Sequence, residues 1–220
     1  MKHFITFEGI EGCGKTTQLE LAGSFLRQRG IPFVATAEPG GTPLGRRIRK
    51  ILLNKMPDEE IFTEAEILLF SAARVQHVRQ IILPALKDGK IVLCDRFHDA
   101  TIAYQGFGRG EDIRFINEIN NYSSSGLKPG MTFLFDLPVE VGLKRAMDRI
   151  SRLKEESKDA VLEDRFEQEN FEFHQRVREG YLDLAKNEPE RFIIIDAGLD
   201  IQMIHRQICD LISNYIGMKS

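Results

Sequence analysis

The residues Gly9-Ile10-Glu11-Gly12-Cys13-Gly14-Lys15-Thr16, followed by Thr17, fit the pattern G-x-x-x-x-G-K-[ST]. The chemistry that this spacing supports is binding of a nucleoside triphosphate through its phosphates. Glycines let backbone N–H groups turn toward phosphate oxygens without interference from a Cβ, and a helix starting at the end of the loop adds partial positive charge. Lys15 is then placed to reach the β- and γ-phosphates and the Thr16 hydroxyl to ligate Mg²⁺, so Gly9 through Thr17 is the expected ATP-binding segment. Glu11 is the odd residue within it. Phosphates repel a carboxylate unless it points elsewhere, so Glu11 is expected to face a second substrate, with a hydroxyl of that substrate as a suitable donor.

Asp95 and Arg96 follow the apolar run IVLC. At the carboxyl end of a strand beside the loop, Asp95 can hold Mg²⁺ directly or through water, and Arg96 can grip a phosphate in bidentate fashion. Phosphoryl transfer between two anionic nucleotides depends chiefly on positioning and charge neutralisation. The loop has Lys15 but no arginine among its variable positions, so further cations must come from elsewhere. Arg145, Arg149 and Arg152 recur at i, i+4 and i+7 on one face of a predicted helix that leads into the polar stretch from Asp148 to Glu169. Arg149 is the leading choice and Arg165 a further candidate; the expected catalytic set is Lys15, Asp95, Arg96 and Arg149, with Thr16 and Asp95 on the metal.

The elements that must position these groups are legible as short β-rich runs at 3–8, 33–37, 91–95, 131–136 and 191–196. Between them lie helical stretches: TQLELAGSFLRQR, 63–87 and 166–186. Strands alternating with helices predict an α/β fold with a five-stranded parallel sheet covered on both faces. Runs such as IVLC and FIII suit strands buried on both sides.

At 220 residues, with 42% apolar and 29% charged side chains and no repeat or long Gly/Ser linker, the chain predicts one domain, 1–220. Thirty basic against 33 acidic residues, a net charge of −3, give no overall basic footprint for a nucleic acid polymer. Cys13, Cys94 and Cys209 are odd in number and scattered, which suits neither a disulfide framework nor a metal site and predicts a cytoplasmic setting. The opening MKHFITFEG has no signal core, and no run reaches the roughly 20 apolar residues of a membrane span.

Four segments together resemble the thymidylate kinase family: FEGIEGCGKTT at 7–17, EPGGTPLGRRIR at 38–49, DRFHDATIAYQG at 95–106, and DRFEQE followed by FHQRVREGYLDL within 164–184. The resemblance implies a doubly wound nucleoside-monophosphate kinase fold with a helical lid, usually a homodimer, that moves the γ-phosphoryl group of ATP to deoxythymidine monophosphate (dTMP). By the same resemblance Glu11 meets the deoxyribose 3′-hydroxyl, and Arg49 and Arg96 hold the acceptor phosphate. Phe70 stacks on thymine and Arg74 bonds its carbonyl, an i, i+4 pair on one helix face. Thr101 and Gln105 lie near the base, and Tyr104 crowds the 2′ position of the sugar.

A loop without arginine resembles the bacterial type, in which a mobile lid, here about 148–166, supplies it; a closing lid also excludes water. The adenine loop is expected near Asp196-Ala197-Gly198. Three features depart from the common pattern: Cys13, the stretch SRLKEESKDAV, and threonine at 101. The first raises the expectation that a thiol beside the phosphates is open to modification. Two other readings stay open from the residues. Another nucleotide or deoxynucleoside kinase would have less use for Arg49 or for the Phe70/Arg74 pair, and a switch ATPase shares only the phosphate loop.

Overall fold

The computed structural model describes residues 3–54, 60–156 and 164–217. Five strands, β1 (Phe4–Glu8), β2 (Phe33–Ala37), β3 (Ile91–Asp95), β4 (Met131–Asp136) and β5 (Phe192–Asp196), form one parallel sheet in the order β2-β3-β1-β4-β5. The central strand β1 thus delivers the glycine loop between the ends of β3 and β4, the place where open parallel sheets bind ligands.

Alternation along β3 divides the interior. Ile91 and Leu93 join the larger core with Ile5, Phe7 and Phe133, whereas Val92 and Cys94 face Val78, Ile82 and Ala85 on the other side. Both faces are therefore covered along β3, as its continuous apolar run requires, whereas β5, also expected to be buried on both sides, is an edge strand that leaves Ile194 exposed. α1 (Lys15–Gln28) and α9 (Ile201–Ile216) pack against each other, with Leu19, Ala22 and Leu26 meeting Ile204, Ile208 and Ile212 in the larger core.

α2 (Pro43–Leu53) starts at Thr42, whose Oγ1 accepts from Gly45 N at 3.0 Å, with proline at the first helical position, where its missing N–H costs nothing. The stretch expected at 63–87 is helical throughout: α3 (Thr63–His77), a π-helical turn (Val78–Ile82) and α4 (Leu83–Lys87). The π turn ends two residues before Pro84, which has no N–H to give to the preceding turn. α5 (His98–Thr101) runs into a second π-helical turn (Ile102–Gly108), followed by α6 (Ile113–Ser124), α7 (Val139–Glu156) and α8 (Phe171–Asn187).

The helix expected from 166 begins later, at Phe171, because the Asn170 side chain caps it by accepting from Phe173 N at 2.8 Å. Residues 157–163, in the middle of the expected lid, lie outside the described residues. No described helix is long and apolar enough to cross a membrane.

Candidate active site

The loop after β1 is built on close backbone approach. Gly12 has φ +69°, and a Cβ there would sit 2.1 Å from the carbonyl oxygen of Gly142 in the first turn of α7. A Cβ on Gly142 would in turn lie 2.6 Å from the Glu11 carbonyl oxygen. Loop and helix therefore fix each other's position, and a lone glycine inside a helical pattern was the available sign of it. The Lys15 ammonium lies inside the loop, donating to Gly9 O at 2.9 Å, Ile10 O at 2.8 Å and Cys13 Sγ at 3.4 Å. Cys13 itself is 2% exposed and part of the core, so its thiol is shielded from a reagent. That corrects the expectation of an open thiol; packing against the loop backbone turned it inward.

Thr16 Oγ1 donates to Asp95 Oδ2 at 2.6 Å, so the two expected metal ligands stand together. A hydroxyl and a carboxylate at one point suit Mg²⁺, which keeps most of its shell for water and phosphate.

Arg96 is the hub of the site. Its Nη2 donates to Glu11 Oε1 at 3.0 Å and to the Tyr104 hydroxyl at 2.9 Å, and its Nη1 to the Tyr181 hydroxyl at 3.0 Å. The Tyr104 hydroxyl donates to the same Glu11 oxygen at 2.5 Å. Glu11 Oε2 lies 3.4 Å from His174 Nδ1 and makes no hydrogen bond among the described residues. Burial alone would raise the Glu11 pKa, but His174, Arg96, Lys15 and Tyr104 together outweigh it and lower the pKa to about 2. The carboxylate therefore stays charged at any working pH, a strong acceptor for a substrate hydroxyl.

Arg74 is 1% exposed, and its guanidinium is held by protein on three sides. Nε donates to Glu38 Oε1 at 2.5 Å, Nη1 to Asn120 Oδ1 at 2.5 Å and Ser123 Oγ at 3.5 Å, and Nη2 to Thr101 Oγ1 at 2.7 Å. Four of the five N–H donors of an arginine are so engaged, and the remaining one is on Nη2. Glu38 also faces His77 Nδ1 at 3.3 Å, and His77 Nε2 pairs with Thr36 Oγ1 at 2.7 Å. Breaking the ion pair from one side leaves a charge buried without its partner. Arg74→Ala is expected to cost roughly 3–5 kcal/mol of stability, read as a lower midpoint in urea, beyond any effect on base choice.

Half-buried Phe70 lies 6.4 Å from Phe166, ring centre to ring centre, and Phe166 meets Tyr104 edge-on at 5.4 Å. Gln105 Nε2 donates to Glu66 Oε1 at 2.6 Å, and Arg49 Nη1 to Pro39 O at 3.0 Å. The arginines expected to act together separate into different settings. Arg145, Arg149 and Arg152 line one groove along α7, interleaved with Asp148 and Glu156. Arg145 Nη1 donates to Ala197 O at 3.1 Å, on the expected adenine loop, and Arg149 Nη2 to Glu167 Oε1 at 3.1 Å. Arg165 stands apart from them: it pairs with the fully buried Glu66 and donates to Leu52 O at 2.8 Å. The buried Glu66 carboxylate requires a counter-charge, which Arg109, at 3.3 Å, supplies only in part.

Sequence reasoning passed over Glu8, the last residue of β1, which is fully buried. Burial foremost, then the charge of Asp99, raises its pKa to about 8 from an ordinary 4.5. Between those values the folded protein holds a proton that the unfolded chain has released, so stability falls as pH rises from about 4.5 to 8. Glu8→Gln is expected to flatten that slope, which melting of both proteins across pH 5–8 would measure.

The thymidylate kinase family model matches residues 7–208. The chain is 58% identical over 209 residues to the thymidylate kinase of Syntrophus aciditrophicus, covering 95% of this chain and 93% of the relative. It is 53% identical over 198 residues to that of Geotalea daltonii, covering 90% of each. The crystal structure of thymidylate kinase from Ehrlichia chaffeensis superposes with a TM-score of 0.73 at 34% identity, over 94% of this chain and 97% of the other. A glycine-rich loop at the centre of a parallel sheet, an arginine-centred cluster beside it, and this likeness along nearly the whole length lead to one conclusion: the chain belongs to the thymidylate kinase family.

Proposed function

We propose that this protein moves the γ-phosphoryl group of ATP to dTMP, giving ADP and dTDP, with the work divided among the residues described above. The observation that carries the reading is the Arg96 hub. One arginine joins the carboxylate of the phosphate loop to the aromatic side of the second pocket, so donor and acceptor sites share a wall. Its three protein bonds leave two of five N–H donors for an acceptor phosphate. Lys15 neutralises charge developing on the β- and γ-phosphates. Thr16 and Asp95 would hold Mg²⁺, which supplies further neutralisation between the phosphates when bound.

On the acceptor side Glu11 receives the sugar 3′-hydroxyl, Tyr104 excludes a 2′-hydroxyl, and Phe70 stacks on the base. Arg74, steadied by Glu38 and Asn120, offers its last N–H to a thymine carbonyl, with Thr101 and Gln105 beside it. Arg49 joins Arg96 on the acceptor phosphate. The lid at about 148–166, carrying Arg149, closes over the phosphates and excludes water. The bond from Arg145 to the adenine loop supports a place for it on the nucleotide base. The test is ADP release with ATP and Mg²⁺, comparing no acceptor with each nucleoside monophosphate, ribo and deoxy. Stimulation by dTMP above all others supports the reading, and equal release without any acceptor would overturn it.

A homodimer in the cytoplasm belongs to the same proposal. Leu44 and Ile51 on α2, Leu68 on α3, and Phe115 and Tyr122 on α6 are large apolar residues exposed on helices that pack side by side. An apolar face of this kind is unusual on a monomer. Sedimentation should give twice the 25.1 kDa of one chain.

A further inference from the structure

Arg96 has φ +65°, a left-handed conformation that a residue with a side chain adopts only when its surroundings hold it there. Glu8 holds it by two routes. Its Oε1 accepts from the N–H of Phe97, the residue directly after Arg96, at 2.7 Å. Its Oε2 accepts at 2.8 Å from the hydroxyl of Tyr181, which itself accepts from Arg96 Nη1 at 3.0 Å. One carboxyl group thus fixes both the backbone and the guanidinium of the arginine. Glu8 is 0% and Tyr181 1% exposed, so neither is open to a nucleotide.

We propose that Glu8 and Tyr181 are positioning residues that preset Arg96 for the acceptor phosphate and tie its place to the phosphate loop. The inference rests on the reading of Arg96 as the acceptor-phosphate arginine. Glu8 is joined directly to Gly9, the first residue of the loop, so a single residue sets the distance between donor site and acceptor arginine. An arginine side chain otherwise loses rotamer freedom on being ordered, and holding it beforehand removes that loss from substrate binding. Reacting groups kept in register across two sites are what a two-substrate transfer needs.

The test is a double-mutant cycle on equilibrium binding of dTMP, without ATP, for the unaltered protein, Tyr181→Phe, Arg96→Ala and both together. Tyr181→Phe is expected to weaken dTMP binding about tenfold while ATP binding stays within twofold, and to add nothing once Arg96 is gone. An equal loss from Tyr181→Phe in both backgrounds, or no loss from it where Arg96→Ala weakens dTMP, would overturn the positioning role. Unchanged dTMP binding in Arg96→Ala would remove the acceptor-phosphate role itself, and the positioning role with it. An equal loss of dTMP and ATP binding in Tyr181→Phe would mean general loosening and would also refute the proposal.

Discussion

Lys15→Ala is expected to lower turnover by about a thousandfold or more, with the fold retained. Lys15 is 7% exposed, and its ammonium lies within bonding distance of two loop carbonyls, where the proposed function puts the phosphates. A charge held in place beforehand needs no reorganisation as the transferring group gains negative charge, which is why its loss falls on turnover. The two carbonyls it releases are buried, and water entering the space the side chain vacates can bond them, so the melting temperature should fall only modestly. Turnover within threefold of the unaltered protein would remove Lys15 from the phosphates.

Arg96→Ala is the other large effect. On the proposed role the variant loses the charge-assisted contacts to the acceptor phosphate, and it leaves Glu11 and the two tyrosine hydroxyls without their shared donor. The expected result is a fall of about a thousandfold in kcat/KM for dTMP, with the KM for ATP much less affected. Arg96→Lys should recover little, because a single ammonium cannot reproduce a planar fork that serves Tyr181 and the Glu11/Tyr104 pair at once. Full recovery by lysine would mean that charge alone matters at this position.

The sheet was legible because each strand is a short apolar run punctuated by glycine, proline or charge, and all five appear where the pattern puts them. The start of α8 was not, since the helical spacing of 166–170 says nothing of the Asn170 cap, which delays the helix to Phe171, five residues after the expected start. In the site, what a local motif carries could be read: the loop with Thr16 at its end, Asp95 closing its apolar strand, and the Phe70/Arg74 spacing. What remained hidden depends on contacts between distant residues. Glu8 meets Tyr181 across 173 positions and Arg74 meets Glu38 across 36, so neither partner is implied by spacing. A carboxylate closing an apolar strand, as at Glu8, was the one sign of a buried group requiring partners. The arginines show the same limit. Helical spacing correctly groups 145, 149 and 152 on one face, but the attraction of Arg165 to the buried Glu66 needs the fold.

The central claim is that the phosphoryl group passes to a nucleotide and not to water. The measurement that tests it most directly follows label from ATP carrying ³²P at the γ position, with dTMP and Mg²⁺ present. Transfer predicts that the label appears in dTDP, in step with ADP. Label recovered as inorganic phosphate, with dTMP unchanged, would contradict it.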